Sequence, residues 1–266
     1  MKKKHVIFLV SIAIVSIVSI GMSQNNTSKN SAKYVIHTAD SRGILDYGWL
    51  KAQYSFSFGQ YRNQERMNFG ALRVLNNDIV APGRGFNKHK HDNMEIITIP
   101  LSGALKHKDD LGNSSIIPTG EIQVMSAGTG IYHSEFNASE EDEIELFQIW
   151  IFPHTQNVEP RYQQKSIIQK DKKNTLYQIL SPQDNDGTAW IHQQAWMYMG
   201  DFDTETNSTY TLKSSNNGVY IMNIQGSFEI DNKTLSKRDA IGIWNTNSVS
   251  ITAAPDSRIL IIEVPM

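Results

Sequence analysis

Residues 83–95 read GRGFNKHKHDNME, and residues 125–135 read MSAGTGIYHSE. Each segment carries two side chains of metal-ligating type two positions apart: His89 and His91 in the first, His133 and Glu135 in the second. On a β-strand, residues i and i+2 point to the same face. If the two strands are neighbours, their shared face presents three imidazoles and one carboxylate. That ligand set suits a divalent transition metal and leaves positions open for water, oxygen or a substrate.

The chain around these segments has the pattern of an all-β protein. Short apolar or alternating runs recur between Gly, Pro, Asn and Asp, and they predict strands at 95–101, 145–152, 220–230, 240–244, 248–253 and 258–264. No long run of helical periodicity separates them after residue 34. Short strands at this close spacing favour an antiparallel barrel or sandwich.

A gap in the strand pattern divides the chain in two. Residues 153–171 hold two prolines and are mostly polar. The sequence therefore predicts an N-terminal domain at 34–155, which carries the histidine motifs, and a C-terminal domain at 156–266. The second half has its own hairpin series, with turns predicted at 231–233 and 236–239.

Composition excludes several classes of function. The 266 residues are 39% hydrophobic and 20% charged, as in a soluble globular protein. The net charge of -2, from 25 basic and 27 acidic side chains, provides no field for holding nucleic acid. The chain has no cysteine, which rules out disulfides, thiolate metal ligands and a cysteine nucleophile.

The N-terminal segment has the pattern of a secretory signal. Three lysines at 2–4 precede an apolar run at 6–20, and Gly21-Met22-Ser23 then leads into a polar tract. The run is short for a membrane span, which needs roughly 20 apolar residues. We expect a signal peptide at 1–23, cleaved after Ser23, a disordered linker at 24–33, and export to the periplasm or the extracellular space without stable membrane insertion. An uncleaved N-terminal anchor is the alternative.

Further motifs carry a family resemblance. The spacing from Gly83 through His89-Lys90-His91 to Glu95 resembles the first sequence motif of the cupin superfamily. The chain also resembles the pirin family, in particular the bacterial branch that includes quercetin 2,3-dioxygenase-like proteins. The segments that carry this resemblance are 106–113, 118–123 and 125–135, with shorter matching segments at 71–74, 148–150 and 160–162. The resemblance runs from about residue 34 to the C-terminus.

The resemblance implies a bicupin: two antiparallel β-barrel (jelly-roll) domains packed face to face, with one metal ion in the N-terminal barrel only. Carried over position by position, the metal ligands are His89, His91, His133 and Glu135. Gln123 stands where other cupins place their third histidine. Glu95 stands where many cupins place their carboxylate ligand, and because pirins give that role to the position of Glu135, we expect Glu95 beside the ligands. Iron is the first choice of metal, with Mn, Co, Ni, Cu or Zn as alternatives.

Two functions of different class follow from the resemblance. The first is a metal-dependent dioxygenase of the quercetin 2,3-dioxygenase type, which cleaves a flavonol ring with O2 and uses Glu135 as the base that accepts the hydroxyl proton. The second is a non-catalytic metal-binding pirin that acts as a redox-sensitive binding or regulatory protein. The expected partners are a flavonol-like small molecule and O2, with no nucleic acid, and the expected oligomeric state is a monomer.

Other polar residues have predicted places as well. Lys88 and Lys90 alternate with the ligating histidines and are expected to face solvent. His107 is predicted to lie in a charged hairpin, either structural or exposed. Gln148 points a polar group into the first barrel or forms a satisfied amide in its wall. No histidine follows His192, so the second half lacks the imidazoles that a similar site would need.

Overall fold

The computed structural model describes residues 1–2, 31–168 and 172–266. Apart from one short 3-10 helix at Ala39–Ser41, the regular structure in these ranges is β-strand. None of the described helical segments is long and apolar enough to cross a membrane. The predicted signal peptide, beyond its first two residues, and the predicted linker up to residue 30 lie outside the described residues.

Two sheets form the first barrel. Its strands are β2 (Gly43–Asp46), β3 (Leu50–Tyr54), β4 (Leu72–Val80), β5 (Gly85–His91), β6 (Glu95–Ser102), β7 (Ala104–Asp109), β8 (Ser114–Pro118), β9 (Glu121–Ser126), β10 (Ile131–Asn137), β11 (Ile144–Ile151) and β12 (Arg161–Ser166). The larger sheet has the order β12-β9-β6-β11-β4-β3-β2, and the smaller has the order β5-β10-β7-β8. All of these pairings are antiparallel.

The second barrel repeats this arrangement. Its strands are β1 (Lys33–His37), β13 (Leu176–Ser181), β14 (Ala189–Trp190), β15 (Trp196–Phe202), β16 (Thr206–Thr211), β17 (Asn217–Gln225), β18 (Phe228–Ile230), β19 (Lys233–Leu235), β20 (Ala240–Trp244), β21 (Ser248–Ala253) and β22 (Ser257–Pro265). They form a seven-stranded sheet in the order β1-β20-β17-β22-β15-β13-β14 and a four-stranded sheet in the order β16-β21-β18-β19. The short pair β13 and β14 is parallel. The predicted all-β bicupin is therefore confirmed.

Local turn chemistry sets the strand boundaries in the second barrel. The predicted strand at 220–230 is two strands, because Gly226 adopts a φ of 76° that few other residues tolerate. The predicted turn at 231–233 joins β18 to β19 through Asp231 and Asn232, whose φ values of 45° and 61° are those of a two-residue hairpin turn.

The two seven-stranded sheets pack against each other over one shared apolar core. Strand β11 alternates, so that Phe147 and Ile149 face the second barrel while Gln148 faces the interior of the first. The second barrel contributes Leu260 and Ile262 of β22 to the same core. Each barrel also encloses a separate apolar cluster.

Two strands, one near each end of the predicted N-terminal domain, do not follow the predicted domain division. Strand β1, N-terminal in the chain, pairs with β20 of the second barrel. Strand β12, which follows the predicted boundary at 155, pairs with β9 of the first barrel. The break in the strand pattern at 153–171 indicates where the chain passes from one barrel to the other. It does not indicate which sheet β12, or the first strand of the chain, will join.

Candidate metal centre

The two histidine motifs lie on neighbouring strands. In the antiparallel pairing of β5 with β10, His133 stands opposite His89, and Ile131 stands opposite His91. A bulge between His133 and Glu135 shifts the register, so that Glu135 stands opposite Phe86. The predicted neighbourhood of the two strands is therefore present.

Three imidazoles converge inside the first barrel. The ring of His89 lies 4.8 Å from that of His91 and 4.4 Å from that of His133, and 4.9 Å separates the rings of His91 and His133. One potential ligand nitrogen from each lies within 4.8 Å of the other two. Lys88 and Lys90, as predicted, are exposed.

The hydrogen bonds of these rings fit a cation. Nδ1 of His89 donates to the backbone oxygen of Asn87 at 2.7 Å, which leaves Nε2 with a free lone pair. That Nε2 lies 3.0 Å from Nε2 of His133, while the buried Nδ1 of His133 has no hydrogen-bond partner among the described residues. Two nitrogens that bind one metal from adjacent positions, each at about 2.1 Å, are separated by a similar distance. The donor set therefore fits a divalent transition metal.

Burial keeps two of the imidazoles neutral. Desolvation, reinforced by His133 and His89, lowers the pKa of His91 from 6.5 to about 4. Desolvation, with His89 and His107 as neighbours, lowers the pKa of His133 to about 3. Both rings are unprotonated at neutral pH, which is the form that binds a metal.

Glu135 lies on the same inner face and is held by two side chains. Gln148 donates from Nε2 to Oε2 of Glu135 at 3.0 Å, and the hydroxyl of Thr98 donates to Oε1 at 3.4 Å. Its carboxylate also lies within 4.8 Å of potential ligand atoms of His133 and His107. Of the two sequence-based alternatives for Gln148, the structure shows the one in which its amide points into the barrel.

His107 is a neighbour of the site that the sequence did not identify. It is fully buried opposite Glu135 on β7, and its ring lies 5.4 Å from that of His133. Gln123 donates to its Nδ1 at 3.1 Å, so that Nε2 donates to Asp109 at 3.0 Å. The available signal was the alternation of His107 and Asp109 with the exposed Lys106 and Lys108, which places both on the inner face.

Glu95 is not beside the ligands, contrary to the prediction. The strand that carries His89 and His91 does not reach Glu95, because β5 ends at His91 and Asn93 turns the chain with a φ of 45°. The carboxylate of Glu95 instead faces the second barrel, where it accepts a hydrogen bond from Ser126 at 2.6 Å and contacts Nδ1 of His192 at 3.2 Å. Burial raises the pKa of Glu95, although the contacts with Ser126 and His192 act to lower it.

A cleft of about 80 Å³ opens beside the imidazoles. Its walls are Leu50, Tyr54, Phe58, Asn76, Asp78, Phe86, His89, His91, Glu135, Gln148 and Trp150. Four of these residues are aromatic in addition to the two histidines, so a flat ligand would meet ring faces and edges on several sides.

Asp78 is an ionisable group in this cleft that the sequence did not single out. Its side chain is 4% exposed, and desolvation followed by the charge of Glu135 raises its pKa from 3.8 to about 7, against the opposing effect of Arg42. No motif spacing marks Asp78. Its position two residues after Asn76 on the inner face of β4 emerges only from the register with the neighbouring strands.

The interior of the second barrel has no counterpart of the histidine cluster among the described residues; it holds an apolar cluster and the buried carboxylate of Glu263, which accepts hydrogen bonds from Tyr210 and Asn217. Its cluster is formed by aliphatic and aromatic side chains such as Ile221, Phe228, Val249 and Ile261. The groups of metal-ligating side chains found among the described residues all lie in the first barrel.

The fold and the site together define a bicupin with a metal-binding centre in its N-terminal barrel. The family description "Pirin" matches residues 35–151, and "Quercetinase C-terminal cupin domain" matches residues 178–264. The chain belongs to the pirin family.

Relatives of known name and structure agree with this assignment. The chain is 36% identical over 230 residues to a quercetin 2,3-dioxygenase of Escherichia coli K12, covering 86% of this chain and 98% of the relative. It is 36% identical over 225 residues to a pirin-like protein of Caulobacter vibrioides, covering 84% and 96%. The crystal structure of the bacterial pirin YhhW from Escherichia coli in complex with nickel(II) matches with a TM-score of 0.83 at 36% identity, covering 88% of this chain and 99% of that one.

Proposed function

We propose that this pirin is a metal-dependent dioxygenase that cleaves a flavonol-type ring with O2. The observation that carries the proposal is the cluster of His89, His91 and His133, with Glu135 close to His133, beside a cleft that has aromatic walls. The name of the Escherichia coli relative, quercetin 2,3-dioxygenase, supports the choice of substrate.

The residues of the site have separate tasks in this proposal. His89, His91, His133 and Glu135 would hold one divalent cation, with iron as the first choice and Mn, Co, Ni, Cu or Zn as alternatives. The bound cation supplies Lewis acidity, which favours the ionised form of a substrate hydroxyl. The two imidazoles with lowered pKa stay neutral, so the centre keeps a net positive charge towards an oxyanion.

Glu135 is the proposed base. Its carboxylate lines the cleft and is positioned by Gln148 and Thr98, so it can accept the hydroxyl proton of a substrate seated beside the imidazoles. The hydrogen bond from Gln148 to Oε2 keeps one carboxylate orientation without consuming both lone pairs of that oxygen.

The test compares Glu135→Gln with Glu95→Gln, since both glutamates are buried but only Glu135 lies in the cleft. Metal content is measured by mass spectrometry, and quercetin loss and O2 uptake are followed in parallel. Glu135→Gln should lower turnover per bound metal by about 10²–10⁴-fold, whereas Glu95→Gln should keep both metal and turnover.

A folded, metal-loaded wild-type protein that leaves quercetin and related flavonols unchanged under oxygen would contradict the enzyme. That result would favour the second candidate, a non-catalytic metal-binding pirin acting as a redox-sensitive binding or regulatory protein. The small volume of the cleft favours this second candidate. Pockets for drug-sized ligands usually measure about 300–1,000 Å³, whereas this cleft measures about 80 Å³.

We also propose that the protein is exported. The three lysines at 2–4 and the apolar run at 6–20 support this proposal. The mature chain should begin at Gln24 when it is isolated from the producing cells and its N-terminus is sequenced. An intact Met1 on protein from the cytoplasmic fraction would contradict it.

A further inference from the structure

Two polar side chains on strand β4 line the cleft and have no part in holding the metal ligands. Asn76 and Asp78 are two positions apart on β4 and both line the cleft that contains His89, His91 and Glu135. They are 2% and 4% exposed, so neither side chain is free to turn into bulk solvent.

Their oxygens lack hydrogen-bond donors. Oδ1 of Asn76 and Oδ1 of Asp78 are both buried without a partner among the described residues. Glu135, on the opposite wall, receives its hydrogen bonds from Gln148 and Thr98. More than nine in ten buried polar groups in native proteins are partnered, so two orphaned acceptors in one cleft indicate a ligand that supplies the missing donors.

The chemistry of the cleft selects the kind of donor. A cationic amine is disfavoured, because the proposed metal already places positive charge in the cleft. A neutral hydroxyl provides a donor without added charge. The indole Nε1 of Trp150, another cleft residue, is also buried and unpartnered in the described structure, and it can donate to a ligand oxygen. The aromatic rings of Phe58 and Phe86 suit a flat, ring-shaped body between these groups.

We propose that Asn76 and Asp78 determine substrate specificity by accepting hydrogen bonds from free hydroxyl groups of an aromatic ligand seated beside the metal. The inference rests on the proposed function, because it assigns the substrate-recognising residues of the same site. It distinguishes phenols from their ethers: an ether of the same shape has no hydrogen to donate, and would leave both acceptors unpaired. The small cleft admits one hydroxyl-bearing ring end and leaves the remainder of a larger ligand at the mouth.

The experiment measures binding without turnover. Catechol and 1,2-dimethoxybenzene are titrated by calorimetry into metal-loaded protein under argon, and again into metal-free protein, where chelation is absent. We expect a preference for catechol in both forms. Asn76→Leu and Asp78→Leu should each weaken catechol binding to metal-free protein by about tenfold and leave the dimethyl ether unaffected, while Asp78→Asn, which keeps an acceptor oxygen, should retain binding to within about threefold.

Asn77→Leu is the matched control, because Asn77 lies between the two residues on the opposite face of β4 and donates to Glu145. Equal affinities for catechol in all variants, or an equal loss in Asn77→Leu, would overturn the inference. So would a catechol preference that disappears when the metal is removed. If one leucine variant does not fold, the other variant and the comparison of the two ligands in unmodified metal-free protein still test the inference, because the absence of a catechol preference there would overturn it. Failure of ring cleavage leaves these binding results unchanged, so the two proposals can fail separately.

Discussion

The protonation of His91 and His133 is governed by burial and by their mutual proximity. Their pKa values, lowered to about 4 and about 3, mean that protons compete weakly with a metal for these nitrogens. We therefore expect the protein to retain its metal at pH 5.5, where a free imidazole with a pKa of about 6.5 is mostly protonated. Metal content after dialysis at pH 7, 5.5 and 4 measures this. Release with a midpoint near pH 6.5 would contradict it.

Asp78 makes the stability of the metal-free protein depend on pH. Its folded pKa of about 7 lies above the usual 3.8, so between these values the native state holds a proton that the unfolded state has lost. Ionisation of Asp78 therefore lowers stability as pH rises through this window. The difference corresponds to roughly 4 kcal/mol as an upper bound.

The isosteric variant Asp78→Asn isolates this effect. It should gain stability relative to wild type as pH rises from about 4 to about 7, and the gain should level off above pH 8. Urea unfolding of both metal-free proteins at several pH values measures it, and the contributions of His91 and His133, which fall with falling pH, cancel in the difference. A stability difference that is independent of pH would show that Asp78 titrates near its usual value.

At the residue scale, the rule that residues two apart share a face of the strand was reliable only within unbroken strands. His89 and His91 share a face as predicted because β5 covers both. Glu95 does not share that face, because the left-handed Asn93 separates it from β5. The sequence marks Asn as a residue that tolerates this conformation, but not that this particular Asn adopts it. Alternation with the exposed lysines could have placed His107 on the inner face, but its position opposite Glu135, like the place of Asp78 in the cleft, required the cross-strand registers.

At the scale of the single strand, β5 holds two of the imidazoles and depends on close contact with β10. Gly85 at the start of β5 pairs with Phe136, and a Cβ added there would lie 2.1 Å from the backbone oxygen of Glu135 and 2.5 Å from Cα of Phe136. Backbone atoms cannot move aside by changing rotamer. A side chain at this position must therefore push β5 away from β10.

Gly85→Ala should consequently weaken metal binding as well as stability. We expect a loss of metal affinity of about 10–100-fold, as when other supporting contacts of a metal site are removed, measured by competition with a chelator. Gly200→Ala is the control, since its Cβ would crowd the side chain of Phe202 in the second barrel and not a backbone near the site. Equal metal affinities in the two variants would show that β5 adjusts without moving the imidazoles.

Most strands were predictable because their apolar patterns and turn residues agree. The predicted strands at 240–244 and 248–253 coincide with β20 and β21. The pairing of β1 with β20 was not predictable, because a five-residue alternating segment fits the edge of either large sheet equally well.

At the scale of the whole molecule, the two barrels share one core and exchange polar contacts. Phe147 and Ile149 of the first barrel pack in the same cluster as Leu260 and Ile262 of the second. Glu145 of β11 pairs with Arg238 of the second barrel, and Glu95 pairs with His192. Separating the barrels would expose the shared apolar surface and remove the contact of the buried Glu95 carboxyl with His192. The barrels are therefore expected to unfold together.

A variant remote from the metal tests this coupling. Ile261 is fully buried inside the second barrel, outside the shared core, so Ile261→Ala should lower global stability by about 2–5 kcal/mol. If the barrels unfold as one unit, the temperature of metal release from the first barrel should fall together with the loss of circular dichroism, by several degrees. Ile44→Ala, at a 71% exposed position, should shift neither. Metal release that stays at the wild-type temperature while the circular dichroism of Ile261→Ala shows an earlier, partial transition would mean that the first barrel folds independently.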